Sequence, residues 1–263
     1  AFYFEFPWLA LSPLVIGVAW MAFHRLDALM LFLVACVPLS LSLEDLELGG
    51  IGAYLPTEPL LAGVLVLFFF KSVSGWPVHP TVLKHPLSRW VQCSLLWIGI
   101  TAIVSSHPLV SFKFLAARLW FVVGFFWVLG EMFRTQKAQR HQFILAYAFP
   151  LCAVIVYTLL RHAGFGFEKD AGHWVMKPFY KDHTSYGAVL AMVIPPMLAL
   201  LSWKRFSAFV KAMIGVALVI LCVGLVFSYT RAAWVSLAAV GALWGLMKAG
   251  IQLKTLLIVG FAS

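Results

Sequence analysis

AFVKAMIGVALVILCVGLVF, residues 208–227, decides the fold class. Its one charged residue, Lys211, stands near the start, and the remainder lacks the period-2 alternation of a membrane barrel strand. At about 1.5 Å of rise per residue, a helix of this length crosses about 30 Å of hydrocarbon. Working outward, apolar stretches separated by polar punctuation recur at Trp8–Phe23, Ala28–Leu43, Pro59–Phe70, Trp90–Ser105, Phe114–Gly130, Phe143–Leu160, Thr184–Ser202 and Ala232–Met247. A shorter run follows at Thr255–Ser263. This spacing predicts an all-α, polytopic transmembrane bundle of about nine to ten spans, forming a single domain over residues 1–263.

The composition agrees. Of the 263 residues, 63% are hydrophobic and 11% charged, with a mean hydropathy of +0.96. A soluble domain has about 45–50% and about 25% respectively, so an ordinary soluble enzyme, a disordered chain and a soluble nucleic-acid binder are excluded. Cys36, Cys93, Cys152 and Cys222 fall in separate apolar blocks without a C-x-x-C pair, and read as free thiols acting as small hydrophobes. The chain starts at Ala1 without a signal-peptide n-region and stops about ten residues into an apolar run, too short to span. The expectation is a piece of a longer protein, cut at both ends.

Assigning alternate loops to alternate sides sorts the charges. One side collects 12 of the 19 basic residues with only Asp27 and Glu131, and the other holds seven basic residues against eight acids. The basic side is expected to be cytoplasmic. The net charge of +9 is then topology and requires no nucleic-acid partner.

Basic residues that stay outside do so against that bias. The longest outer loop, at about residues 161–183, reads RHAGFGFEKDAGHWVMKPFYKDH and leads into a helix expected from Thr184. It carries Lys177 and Lys181, and Asp182 is placed to cap the helix. A loop that is merely solvated is the competing account of the two lysines. In the turn Ser228-Tyr229-Thr230-Arg231-Ala232-Ala233-Trp234, Ser228 or Thr230 is expected to cap the next helix, with Arg231 in its first turn. A helix N-terminus offers free N–H groups and the positive end of the dipole, which suits an anion such as a diphosphate. Snorkelling of Arg231 to lipid headgroups is the alternative. Arg118, inside an apolar stretch and five residues after Lys113, is the intramembrane cation expected to face inward. None of the eight histidines has metal-ligand spacing, and no Walker, G-x-S-x-G or GxGxxG motif occurs. His183 beside Asp182 is a candidate acid/base pair, with capping or hydrogen bonding the competing role.

Residues 176–187, MKPFYKDHTSYG, resemble the outer-loop motif of the bacterial O-antigen ligase and O-antigen polymerase superfamily, in a form common in Bacteroidota. Ser228 through Trp234 is similar to that superfamily's S-x-T-R-[GA]-x-[WF] signature, and the two motifs come in the family's order. Leu55-Pro56-Thr57-Glu58-Pro59, and Ser105–Lys113 followed by Arg118, are weaker matches. The resemblance implies a metal-independent, inverting glycosyltransferase of the bacterial inner membrane, in lipopolysaccharide or polysaccharide biosynthesis, with no cofactor. Its partners would be an undecaprenyl-diphosphate-linked glycan as donor, a lipid or glycan acceptor, and membrane lipids, with the active face periplasmic. Arg231 matches the diphosphate-binding position of the signature, with Arg118, Lys177 and Lys181 as looser candidates. The family's base is a His in a large periplasmic loop, expected downstream of Ser263; within this chain Asp182 and His183 are the weaker candidates. Many members have Asn in the long-loop motif, whereas this chain contains none and has Asp182-His183 there. The competing classes are a transporter or flippase of a polyanionic lipid, and a non-enzymatic membrane scaffold. A transporter predicts paired broken helices and acids deep in the membrane; Pro195-Pro196 interrupts one span without a matching partner.

Overall fold

The computed structural model describes residues 12–42, 54–73, 78–136 and 140–250. The beginning of the first expected span, some of the charged loop residues counted in the topology and the run Thr255–Ser263 lie outside these residues. The described chain is helical apart from one short strand pair. It forms two compact units, residues 1–146 and 147–263, and the division falls inside a helix.

In the first unit, α1 (Ser12–His24) and α2 (Leu26–Cys36) lead into β1 (Leu41–Ser42), which pairs antiparallel with β2 (Tyr54–Leu55). Then come α3 (Thr57–Val73), α4 (Pro80–Leu83), α5 (Pro86–Ile103) and α6 (Pro108–Phe121). A π-helical stretch, Val122–Val128, joins α6 to α7 (Leu129–Thr135), so that residues 108–135 form one continuous rod. The buried Ser40 hydroxyl donates to the Cys36 carbonyl at 3.0 Å and is hydrogen-bonded to Thr57, tying the start of α3 to the end of α2. Leu61 of α3 lies so close to Gly124 that a Cβ there would come within 2.7 Å of its Cδ2. A glycine therefore permits α3 to approach the π stretch, with Val64, Val123 and Val128 buried around the contact.

The second unit is built on α8 (Arg140–Ala163, which begins in the first unit), α9 (His183–Leu201), α10 (Ala208–Phe227) and α11 (Arg231–Lys248). Helix α9 packs on both α10 and α11. Its buried residues Tyr186, Gly187, Leu190, Ala191, Val193, Ile194, Met197 and Leu200 recur at three and four, one continuous stripe along the helix. Lipid tails are as apolar as leucine, so association of such helices depends on close contact at small residues. Gly224 of α10 provides one: a Cβ there would lie 2.7 Å from Ile155 Cγ2 of α8 and 3.0 Å from the Tyr186 hydroxyl of α9.

Four helical segments are long and apolar enough to cross a membrane: Pro108–Thr135, Arg140–Ala163, His183–Leu201 and Ala208–Phe227. They mark a membrane protein. Among the described residues the other apolar helices fall short in length or hydropathy; α1 has 13 residues, α2 has 11 and α3 has 17. The expected span Ala208–Phe227 coincides with α10, while Phe114–Gly130 is the middle of the longer rod.

Candidate functional site

The connection between α8 and α9 is a compact body with its own interior. After α8 ends, successive turns bring the N–H groups of Phe165 and Phe167 onto the His162 carbonyl, at 2.9 and 3.2 Å. His162 is 1% exposed, and its Nε2–H donates to the Glu168 carbonyl at 2.8 Å. The rings of Phe167, Phe227 and Tyr229 surround it at centroid distances of 5.2, 5.9 and 6.1 Å. Ala171, Gly172, Val175 and Met176 are buried beneath the segment. Arg161 closes its far side: Nη1 donates to the Lys177 carbonyl at 2.6 Å, and the guanidinium lies 5.3 Å from the Trp174 ring. The loop therefore has a packed core of its own, although Lys177 and Lys181 themselves are exposed.

At the end of the loop, Asp182 caps α9 as its residue type and position predict. Its carboxylate accepts from the Ser185 N–H at 2.7 Å and from the Thr184 hydroxyl. These donors favour the charged form and hold the carboxyl down at about 2, against its ordinary 3.8. An acid depressed on folding stabilises the fold fully above its unfolded pKa, and this contribution fades as pH falls from about 4 towards 2. Asp182→Ala is expected to cost about 1 kcal/mol, measured as a lower melting temperature at pH 7. The deficit relative to wild type should shrink as the medium is taken towards pH 2. An equal deficit at both pH values would show that the carboxylate is not the capping group.

The second motif docks directly onto this cap. Tyr229, at φ +49°, turns its hydroxyl onto the Phe167 carbonyl, 3.0 Å away, and its ring fills the space a Cβ on Gly172 would need, 2.7 Å from Cδ2. The buried Thr230 hydroxyl donates to the His183 carbonyl at 2.7 Å. Gly187 sits one turn below, where a Cβ would come within 2.6 Å of Thr230 Cβ and 3.1 Å of Ser228 Oγ. The N-termini of α9 and α11 are therefore held side by side. Gly187→Ala is expected to separate them at a cost of about 1–3 kcal/mol, read as a lowered melting temperature and faster proteolysis at residues 228–231. Unchanged melting would mean that the turn shifts aside without consequence.

This docking corrects one expectation. Neither Ser228 nor Thr230 caps α11 with its side chain: Ser228 Oγ donates to the Leu225 carbonyl, and Thr230 Oγ1 is committed to His183. The N–H groups of Arg231 and Ala232 have no hydrogen-bond partner among the described residues. Arg231 is the first residue of α11, exposed, and its guanidinium has no partner among the described residues.

Lys177 and Lys181 are exposed on the same loop, and it is the carbonyl of Lys177 that Arg161 grips. Arg118 belongs to the first unit. It is exposed rather than turned inward, with its guanidinium 5.0 Å from the Phe114 ring. Leu115 and Leu119, on either side of it in sequence, line an open apolar groove of about 670 Å³ against α5. Of the loop aromatics, Phe179 packs on Tyr157 and Tyr180 on Tyr186, at centroid distances of 5.3 and 5.4 Å, and burial pushes the Tyr180 phenol up. Trp174 remains 38% exposed, edge-on to Phe165. His183 does not pair with the Asp182 carboxylate, which faces its cap donors. Its ring instead meets that of His173, with centroids 4.2 Å apart. Sequence spacing had no means of showing that contact, nor the burial of His162 or the grip of Arg161. No group of three or more possible metal ligands occurs among the described residues.

Fold and site together define a helical membrane protein in which the longest described loop ends at the capped N-terminus of α9, docked beside the uncapped N-terminus of α11. No family model, no curated protein and no solved structure matches the chain.

Proposed function

We propose that the protein is a periplasm-facing glycosyltransferase of the bacterial inner membrane. It moves a glycan from an undecaprenyl-diphosphate donor to a hydroxyl acceptor, without a metal and with inversion, as an O-antigen ligase or polymerase does. In this reading residues 1–263 cross the membrane about nine to ten times. The observation that carries it is the docked pair of motifs, which leaves Arg231 unpartnered at an uncapped helix N-terminus. Inverting transfer releases a diphosphate, and its developing negative charge is stabilised by preorganised N–H groups and a guanidinium. Lys177 and Lys181, exposed on the loop that leads into α9, add positive potential, and Trp174 is the half-exposed aromatic assigned to stack on a sugar. Arg118 is a candidate for the diphosphate through the resemblance alone; it is exposed on α6. Asp182 has no acid/base role here: its carboxylate is ionised and occupied by the α9 cap. The test is transfer by the purified full-length protein, from an undecaprenyl-diphosphate-linked glycan, in the presence of EDTA. Donor binding without transfer to any hydroxyl acceptor would favour a transporter of the same lipid.

A further inference from the structure

The open groove between α5 and α6 lies wholly within the first unit. Leu96, Gly99 and Ile103 of α5 face Leu115 and Leu119 of α6 across it, and Gln92 stands at the end nearest the start of α5. A Cβ on Gly99 would meet only Leu115 Cδ2, at 4.0 Å, so that part of the wall is bare backbone. At about 1.5 Å of rise per residue, the run from Gln92 to Ile103 is about 16 Å long, about half of 30 Å of hydrocarbon.

The Gln92 end of the groove is basic. Gln92 Nε2 donates to the Leu83 carbonyl at 3.3 Å. Arg89, one turn earlier on α5, donates from Nε to the carbonyl of the next residue, Lys84, at 3.1 Å. Arg89 and Lys84 are therefore brought together beside Gln92. Both are exposed, and neither makes an ion pair among the described residues. Trp90, also exposed, follows Arg89 and is of the type that settles at a membrane interface. At the other end Lys113, next to Phe112, has the Glu58 carboxylate near it, so its charge is offset.

We propose that this groove binds an anionic glycerophospholipid, with one acyl chain along α5 from Gln92 to Ile103 and the phosphate on Arg89 and Lys84. The inference is independent of the transfer reaction proposed above. The apolar walls take the chain, and the unpaired cations select a headgroup with net negative charge. A groove about as deep as one leaflet matches a fatty-acyl tail, whereas a long polyprenyl chain would overrun it.

The test uses delipidated full-length protein in detergent, titrated with phosphatidylglycerol, phosphatidylethanolamine or undecaprenyl phosphate, with bound lipid counted by native mass spectrometry. Phosphatidylglycerol is expected to bind saturably and more tightly than phosphatidylethanolamine. Arg89→Gln should weaken it about five-fold, and Lys84→Gln about five-fold again, as for cations at a membrane surface. Gly99→Leu, which puts a side chain into the groove, should abolish the saturable binding. Its melting temperature without lipid should equal or exceed that of wild type, because leucine is the better helix former. Equal binding of the two phospholipids, or no saturable binding, overturns the proposal. Undecaprenyl phosphate that displaces phosphatidylglycerol also overturns it, and makes the groove a polyprenyl site. Lipid that still binds to Gly99→Leu lies elsewhere, and a lowered lipid-free melting temperature in that variant places a segment of protein in the groove; either result overturns it. None of these outcomes bears on Arg231 or on glycan transfer.

Discussion

Arg231→Ala is expected to lower glycan transfer by the full-length protein about 100–1,000-fold, the usual consequence of removing one preorganised charge stabiliser. Its melting temperature and its insertion into membranes should not change. The asymmetry follows from the surroundings. Arg231 is exposed and contributes no hydrogen bond, ion pair or ring contact among the described residues, so truncation leaves no group unpaired. What disappears is the guanidinium beside two uncapped N–H groups at the positive end of α11. Arg231→Lys should retain part of the rate, because the charge stays while the planar fork that grips phosphate oxygens is lost. The measurement is steady-state transfer with donor saturation curves, alongside thermal melting. Wild-type transfer by the alanine variant would remove the diphosphate assignment; a collapsed melting curve would instead give Arg231 a structural role.

His162→Ala should be the most damaging single change to the fold of the second unit. The ring is buried, donates to the Glu168 carbonyl, and fills the space between Phe167, Phe227 and Tyr229. Truncation opens a cavity and strands a carbonyl, together costing about 3 kcal/mol or more. Because Tyr229 rests on the same group and is joined to Phe167, the damage should reach the Ser228–Arg231 turn. Limited proteolysis should then cut the loop after residue 163, and melting should occur at a lower temperature. His162→Phe should recover most of the packing but not the hydrogen bond, and fall between the two. If His162→Ala matches wild type in both assays, the loop is not held by this residue.

The helices were legible for a simple reason. Ala208–Phe227 and Thr184–Ser202 are apolar runs bounded by serines, loops and charges, the second continuing as one helix through Pro195-Pro196, which was expected to interrupt it. In a bilayer the span is selected by length and transfer energy. The same signal found Phe114–Gly130 as a span but not its full length: the helical segment runs from Pro108 to Thr135, through a π stretch at Val122–Val128 that hydropathy does not register. Asp182 was readable as a cap because capping is local, a matter of three residues. Thr230 was misread by the same rule, because its hydroxyl is drawn to the His183 carbonyl, 47 residues away. Non-local competition of that kind leaves no trace in spacing. It also hid His173 from view: its partner is ten residues along the chain, across a loop whose path depends on Arg161 and His162. Arg118 was expected to face inward from its apolar neighbours, yet it is exposed beside Phe114, since the apolar stripe of α6 towards α5 is carried by Leu115 and Leu119.

One measurement bears most directly on the account. Full-length protein is supplied with an undecaprenyl-diphosphate-linked glycan and hydroxyl acceptors, with EDTA present, and both products are quantified. The account predicts glycosylated acceptor and free undecaprenyl diphosphate in equal amounts, undiminished by the chelator. Donor that binds and is never cleaved, or cleavage that EDTA abolishes, would contradict it.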